Sequence, residues 1–173
     1  MMHYFDIIEM HDSISEDFAS RLGFKKVFNT GSSGVSIANS VQQGNKIIIN
    51  PETEAVAKKA TRSKNVVAFY ASRNYNNKIL RELSDEGKTI IFSARDIIFS
   101  GQPVQKIVWN SDLLKRALHY SVNVALASFA RSASEMRSAQ QLIEIAKMLG
   151  ASDTLSKAML NANGGIYDIK KKI

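Results

Sequence analysis

Two hydrophobic periods alternate along this chain, and that alternation limits the fold more than any other feature. Short apolar runs, rich in β-branched and aromatic residues, occur at residues 4–8, 26–28, 35–38, 46–49, 65–71, 88–93 and 122–127. They read as strands. Between most of them lie stretches whose apolar residues recur every three or four positions, as on a helix. Residues 13–22 predict a helix with Ser13 as cap, Glu16 at capping-box spacing and Gly23 as stop. A second begins at Asn50-Pro51-Glu52 and runs to Lys59. Residues 74–86 follow, with Ile79, Leu80 and Leu83 on one face and Gly87 at the end. Residues 95–99 form a short turn and Gly101-Gln102-Pro103 a break. Residues 104–120 keep helical spacing through Ile107, Val108, Leu114 and Leu118. Residues 134–149 place Leu142, Ile143, Ala146 and Leu149 inward and end at Gly150. Ser152 or Asp153 caps a last helix that reaches about Asn163.

Strands separated by helices predict an α/β architecture built on a parallel sheet, either doubly wound or a (β/α) barrel. A complete eightfold barrel usually needs more than about 200 residues, and this chain has 173. A barrel made from it is therefore trimmed or incomplete, with some helices reduced to turns. No linker divides the sequence and no repeat is visible, so one domain over residues 1–173 is expected, with 164–173 a basic tail containing Lys170-Lys171-Lys172.

The charge balance bears on partners. Twenty-three basic against sixteen acidic residues give a net charge of +7, which favours a polyanionic partner as much as a merely soluble basic surface. The chain has no cysteine, and its apolar runs are too short to span a bilayer. It shows no basic-then-apolar leader. A cytoplasmic protein with no membrane partner is the expectation.

Chemical motifs are sparse. His3, His11 and His119 form neither His-x-His nor His-Glu-x-x-His. A magnesium site made from Asp6, Glu52 and Asp96 is selected by nothing in their spacing. No Gly-x-Ser-x-Gly elbow is present. The turn-rich loop Asn29 to Gly34 lacks the Lys-Ser/Thr pair of a phosphate-binding loop. No catalytic residue and no metal ligand is therefore assigned. Tyr70, Phe99, Trp109 and Phe129 are candidate base-stacking rings that read mostly as core. Basic residues near the ends of strands and helices are the stronger signal. Lys88, Arg95, Lys106, Lys115, Arg116, Arg131 and Arg137 are candidates for a single patch, because loops at one end of a parallel sheet converge. Pairing with Glu82, Glu86 or Glu135 is the alternative.

An ordered series of local features adds to this. Phe92-Ser93-Ala94-Arg95-Asp96-Ile97-Ile98, residues 106–120, residues 124–130, Glu135-Met136-Arg137-Ser138-Ala139 and residues 142–156 follow one another as do the corresponding segments of a known family. From Gly87 to about Leu160 the chain resembles the thirty-kilodalton protein subunit of archaeal and eukaryotic ribonuclease P, also called ribonuclease P protein component 3. Tyr4-Phe5-Asp6 is similar to that family's first strand. Phe129 stands where the family usually has glycine, and Ala139 where it usually has proline.

The resemblance implies a TIM-barrel-like fold and a role in removing the 5′ leader from precursor tRNA. The RNA subunit would carry the magnesium-dependent hydrolysis, and this chain would bind no cofactor. It also implies as partners the ribonuclease P RNA, precursor tRNA, a small ferredoxin-like protein subunit and other ribonuclease P proteins. Arg95, Arg131 and Arg137 lie in or beside the matching motifs, so they are expected to contact RNA phosphates, with Lys88, Lys106, Lys115 and Arg116 adding to the field. Two other classes stay open: a metal-dependent phosphoesterase of the polymerase-and-histidinol-phosphatase type, and a non-catalytic protein-interaction barrel.

Overall fold

The computed structural model describes residues 4–10, 14–30, 34–42 and 45–167. Seven strands form within them: β1 (Phe5–Ile8), β2 (Lys26–Asn29), β3 (Val35–Ala38), β4 (Lys46–Ile49), β5 (Val66–Tyr70), β6 (Thr89–Ser93) and β7 (Asn123–Ala127). The helices are α1 (Glu16–Arg21), α2 (Glu54–Thr61), α3 (Asn77–Asp85), α4 (Ala94–Ile98), α5 (Pro103–His119), α6 (Ala139–Met148) and α7 (Asp153–Tyr167), with a 3-10 turn at Ala133–Glu135. β3 to β7 make a five-stranded parallel sheet in sequence order, and β1 and β2 make a separate parallel pair. Among the described residues no helix joins β2 to β3 or β3 to β4.

Alternation along the strands sorts the core into two faces. Ile47, Ile49, Phe69, Ile90, Phe92 and Leu126 pack under helix residues such as Ala57, Leu80, Leu114 and Leu142. Their neighbours Ile7, Val35, Ile48, Ala68, Ile91, Ala125 and Ala127 gather on the opposite face with Phe129 and Ile166. Both faces are therefore dry, as a parallel sheet requires. The inner cluster draws on β1 as well as on β3 to β7, so the two sheets curve around a shared interior. The fold is barrel-like, although the described strands do not close a continuous ladder.

The junction between β7 and β1 shows how the curve is held. Just past β7, the Phe129 amide donates to the Ile7 carbonyl at 2.8 Å, and the Glu9 amide donates to the Ala130 carbonyl at 2.9 Å. The buried Asp6 carboxylate accepts from the amides of Ile7 at 2.8 Å and Ser128 at 2.7 Å and from the Ser128 hydroxyl at 2.5 Å. Immediately before this junction α7 bridges the two strands. Asn163 Nδ2 donates to the Phe5 carbonyl at 3.0 Å and the Leu126 carbonyl at 2.7 Å. The helix sits so close that a Cβ on Gly164 would lie 2.9 Å from the Phe5 ring. Glycine in a helix interior costs about 1 kcal/mol, and this contact is what it permits.

Several helix starts differ from expectation. The cap of α2 is Thr53, whose hydroxyl accepts from the Val56 amide, and not Asn50. The Asn50 amide is instead bound to the Ala38 carbonyl, and the Pro51 carbonyl accepts from Ser72 and Asn74. Residues 50–52 are tied down before the helix can begin. Asn74 is thereby occupied, and Asn76 caps α3. α6 begins at Ala139, not at Ser134, because Ser138 and Gln141 form a capping box. Ser15 caps α1, while Ser13 lies outside the described residues. α7 continues past Asn163 to Tyr167, so residues 164–167 are helical, and the lysines at 170–172 lie outside the described residues. No described helix is long and apolar enough to cross a membrane.

Candidate nucleic-acid interface

The C-terminal ends of parallel strands form one rim of such a sheet, and loops leaving it converge. Arg95 follows β6, Arg131 follows β7, and Arg137 lies just beyond the 3-10 turn. The structure brings Arg95 and Arg131 together at Glu135, with Arg137 two residues further along the same segment. Arg95 Nε lies 3.0 Å from Glu135 Oε2, and the Arg131 backbone amide donates to the same oxygen at 2.8 Å. Arg131 Nε donates to Glu9 Oε2 at 2.8 Å. Arg137 Nη1 donates to the carbonyls of Ser134 and Met136. The Arg131 amide and then the Arg95 guanidinium hold the Glu135 carboxyl below its usual range, and the bond to Glu9 raises the Arg131 pKa.

These arginines are not equally available. Arg95 is mostly covered and spans Glu135 and, at 3.8 Å, Asp96. Arg131 also has an acidic partner, but its side chain is 60% exposed. Arg137 has no carboxylate partner among the described residues. Its guanidinium lies over the Phe99 ring, 5.1 Å from the centroid. The two carboxylates position the cluster, and the surplus charge is carried by Arg137 and the outer face of Arg131.

The other expected cations divide. Lys106 joins the rim: it borders a small polar pocket with Tyr70, Ala71, Ser93, Asp96, Trp109 and Asn110. Lys88 does not. It precedes β6 and so lies at the opposite end of the sheet from Arg95. Its Nζ donates to the carbonyls of Ser63 at 3.0 Å and Val66 at 2.9 Å, and burial lowers its pKa. Lys88 ties strand starts together. Arg116 is engaged by Asp112 at 3.1 Å and by the Tyr75 carbonyl at 3.1 Å. Lys115 is exposed on α5, nine residues from Lys106 and hence about 14 Å further down the helix axis.

Arg73 was missed. It lies three residues past β5, and its guanidinium stands 5.6 Å from the Trp109 centroid, while Lys106 Nζ stands 5.9 Å from the same centroid. Of the four candidate stacking rings, Phe129 is fully buried, and Tyr70 packs on it at 4.8 Å. Phe99, in contrast, is 50% exposed. Trp109 lines the surface between the polar pocket and an open apolar one formed with Arg73, Val104 and Val108.

Carboxylates and histidines do not assemble a metal centre among the described residues. Asp6 is consumed by Ser128, Glu52 accepts from Asn39 at 2.7 Å, and His119 stacks edge-on against Tyr120. His3 and His11 lie outside the described residues.

Both departures from the family pattern have a physical reading. Phe129 adopts φ 49°, a left-handed conformation that favours glycine. Ala139 takes the first helical position of α6, where proline is well suited, but its N–H donates to the Leu22 carbonyl at 2.8 Å. Ala139→Pro removes that bond between α6 and the end of α1. It is expected to lower stability by about 1 kcal/mol, read as a lower urea midpoint. An unchanged or higher midpoint would show that backbone pre-organisation outweighs the bond.

No protein-family model matches this chain, and no curated protein does. Among solved structures the chain is similar to one in a cryo-EM structure of archaeal ribonuclease P with mature tRNA. The TM-score is 0.71 at 12% identity, covering 98% of this chain and 85% of that one. The two share a fold.

Proposed function

We propose that this protein is a subunit of ribonuclease P, corresponding to the thirty-kilodalton component, and that it binds and supports the catalytic RNA during removal of the 5′ leader from precursor tRNA. The observation that carries this reading is the fold shared along nearly the whole chain with a member of an archaeal ribonuclease P structure. A net charge of +7 and the cluster of Arg95, Arg131 and Arg137 on one rim support it. In this reading the fold is a trimmed TIM-like barrel of seven strands, with α7 bridging β7 and β1. Arg137 and Arg131 meet phosphate oxygens, and Arg95 with Glu135 and Glu9 sets their spacing. Magnesium belongs to the RNA, which does the cutting. The remaining surface receives the small ferredoxin-like subunit and other ribonuclease P proteins in the cytoplasm.

The test is reconstitution. Precursor tRNA is incubated with the RNA subunit, the small protein partner and this chain, each omitted in turn. Cleavage should depend on the RNA and be enhanced by this chain. Cleavage by the isolated protein, abolished by a chelator, would instead establish the phosphoesterase class. Within this reading Arg137→Ala is expected to weaken RNA binding and to reduce the slope of log K against log salt by about 0.7–0.9, the value of one lost phosphate contact. Arg95→Ala should reduce that slope less, because its charge is already matched. Equal slopes for both variants and the wild type would count against phosphate contact at this rim.

A further inference from the structure

The cations of the rim fall into two groups by what they touch. Arg95 and Arg131 are held by carboxylates. Arg73, Lys106 and Arg137 have no carboxylate partner among the described residues, and each lies over an aromatic ring. The rings are Trp109 and Phe99. Phe99 is half exposed, although burying an aromatic ring is ordinarily favourable. It sits at the end of α4, and Trp109 lies two turns into α5, which packs against α4.

A partly exposed ring with an unneutralised cation over it suits a particular ligand. A nucleobase stacks on the ring through its π-face, and the cation meets the adjoining phosphate. Paired bases do not present that face, because it is covered by their neighbours in the helix. An acidic peptide would satisfy the cations but leave the rings without a flat partner. The apolar surface of Val104 and Val108 beside Trp109 extends the platform for a second base. Resting on the ribonuclease P reading, we propose that Phe99 with Arg137, and Trp109 with Arg73 and Lys106, form two stacking positions for unpaired nucleotides of a single-stranded RNA segment. The rim thus reads single-stranded character as well as phosphate charge.

Trp109 is the only tryptophan in the chain, so tryptophan emission excited beyond the tyrosine absorption band reports on the Trp109 position alone. The probes are a single-stranded oligouridylate and an RNA duplex with the same number of phosphates, titrated into the full-length protein. The single strand should quench Trp109 and bind more tightly than the duplex. Phe99→Leu should weaken single-strand binding by roughly tenfold with little effect on the duplex, whereas Arg73→Gln, which removes a phosphate contact, should weaken both. Trp109→Leu, followed by anisotropy of a labelled oligouridylate, should behave as Phe99→Leu does. Lys115→Gln, away from the platform, is the control for loss of charge.

Saturable binding without quenching overturns the proposal, as does equal loss of duplex and single-strand affinity in Phe99→Leu. Because Phe99 is half exposed, its replacement does not put folding at stake. The two readings fail separately. Quenching by the single strand without stimulation of precursor cleavage sinks the ribonuclease P reading alone. Stimulated cleavage with a silent Trp109 sinks the stacking site alone.

Discussion

Phe129→Ala is expected to destabilise the protein by about 3–5 kcal/mol, the range for emptying a fully buried aromatic site. The ring is completely inaccessible and packs at a tilt against Tyr70, 4.8 Å between centroids, within the cluster formed by the inner faces of the strands. Its amide makes the first backbone bond from the end of β7 to β1. Truncation therefore leaves a void where the two sheets meet. The same residue carries φ 49°, which costs any residue with a Cβ about 1–2 kcal/mol. An inverted order follows. Phe129→Gly loses the same ring but relieves that strain, so it should be more stable than Phe129→Ala by about 1 kcal/mol. In an ordinary extended or helical position glycine would be the worse replacement. Urea melts of the three proteins check both claims. Alanine at or above glycine would show that the left-handed backbone at this position carries no strain.

This residue also shows what sequence alone can convey. All seven strands were legible because each is a short apolar run flanked by turn residues, and a buried parallel strand needs nothing else. Helix starts were harder. Asn50 and Thr53 both suit a cap, and the choice was made by Ser72 and Asn74, which bind the Pro51 carbonyl from more than twenty positions away. The start of α6 was legible in principle, since Ser138 and Gln141 have capping-box spacing. The β7–β1 junction was not. It depends on Asp6 meeting Ser128 across 122 residues, and no local pattern records that.

The rim was partly legible, for a reason of position. Residues that follow a strand reach the C-terminal rim, and those that precede one reach the other. Arg95 and Arg131 follow strands, and the structure brings them together. Lys88 precedes β6, so the same rule excludes it. Applied evenly, the rule would also have found Arg73 behind β5. The rule does not reveal which charges are matched. Glu9 and Glu135 come from separate segments, and both converge on the arginines only in three dimensions.

Acidification should stabilise this protein relative to its Asp6→Asn variant. The Asp6 carboxyl is fully buried, and desolvation raises its pKa to about 6, against hydrogen bonds from Ser128 and Ile7 that lower it. In the unfolded chain the group titrates near the ordinary aspartate value of about 3.9. Between roughly pH 4 and pH 6 the native state thus binds more protons than the unfolded state, so the Asp6 contribution to stability falls as pH rises through that window. Below pH 4 both states are protonated and the penalty vanishes. Above pH 6 it is present in full, at roughly 3 kcal/mol. Asparagine cannot ionise. Its carbonyl can still accept from the amides of Ile7 and Ser128, and its amino group can donate to the Ser128 hydroxyl, whose proton then turns toward the Ile7 carbonyl at 3.4 Å. Wild type minus Asp6→Asn stability should therefore fall by roughly 3 kcal/mol between pH 4 and pH 7, read from urea melts at each pH. Asp6→Ala removes the acceptor for all three donors and should be the least stable of the three proteins at pH 5. A difference between wild type and Asp6→Asn that stays level or grows with pH would mean that hydrogen bonding outweighs burial at this junction.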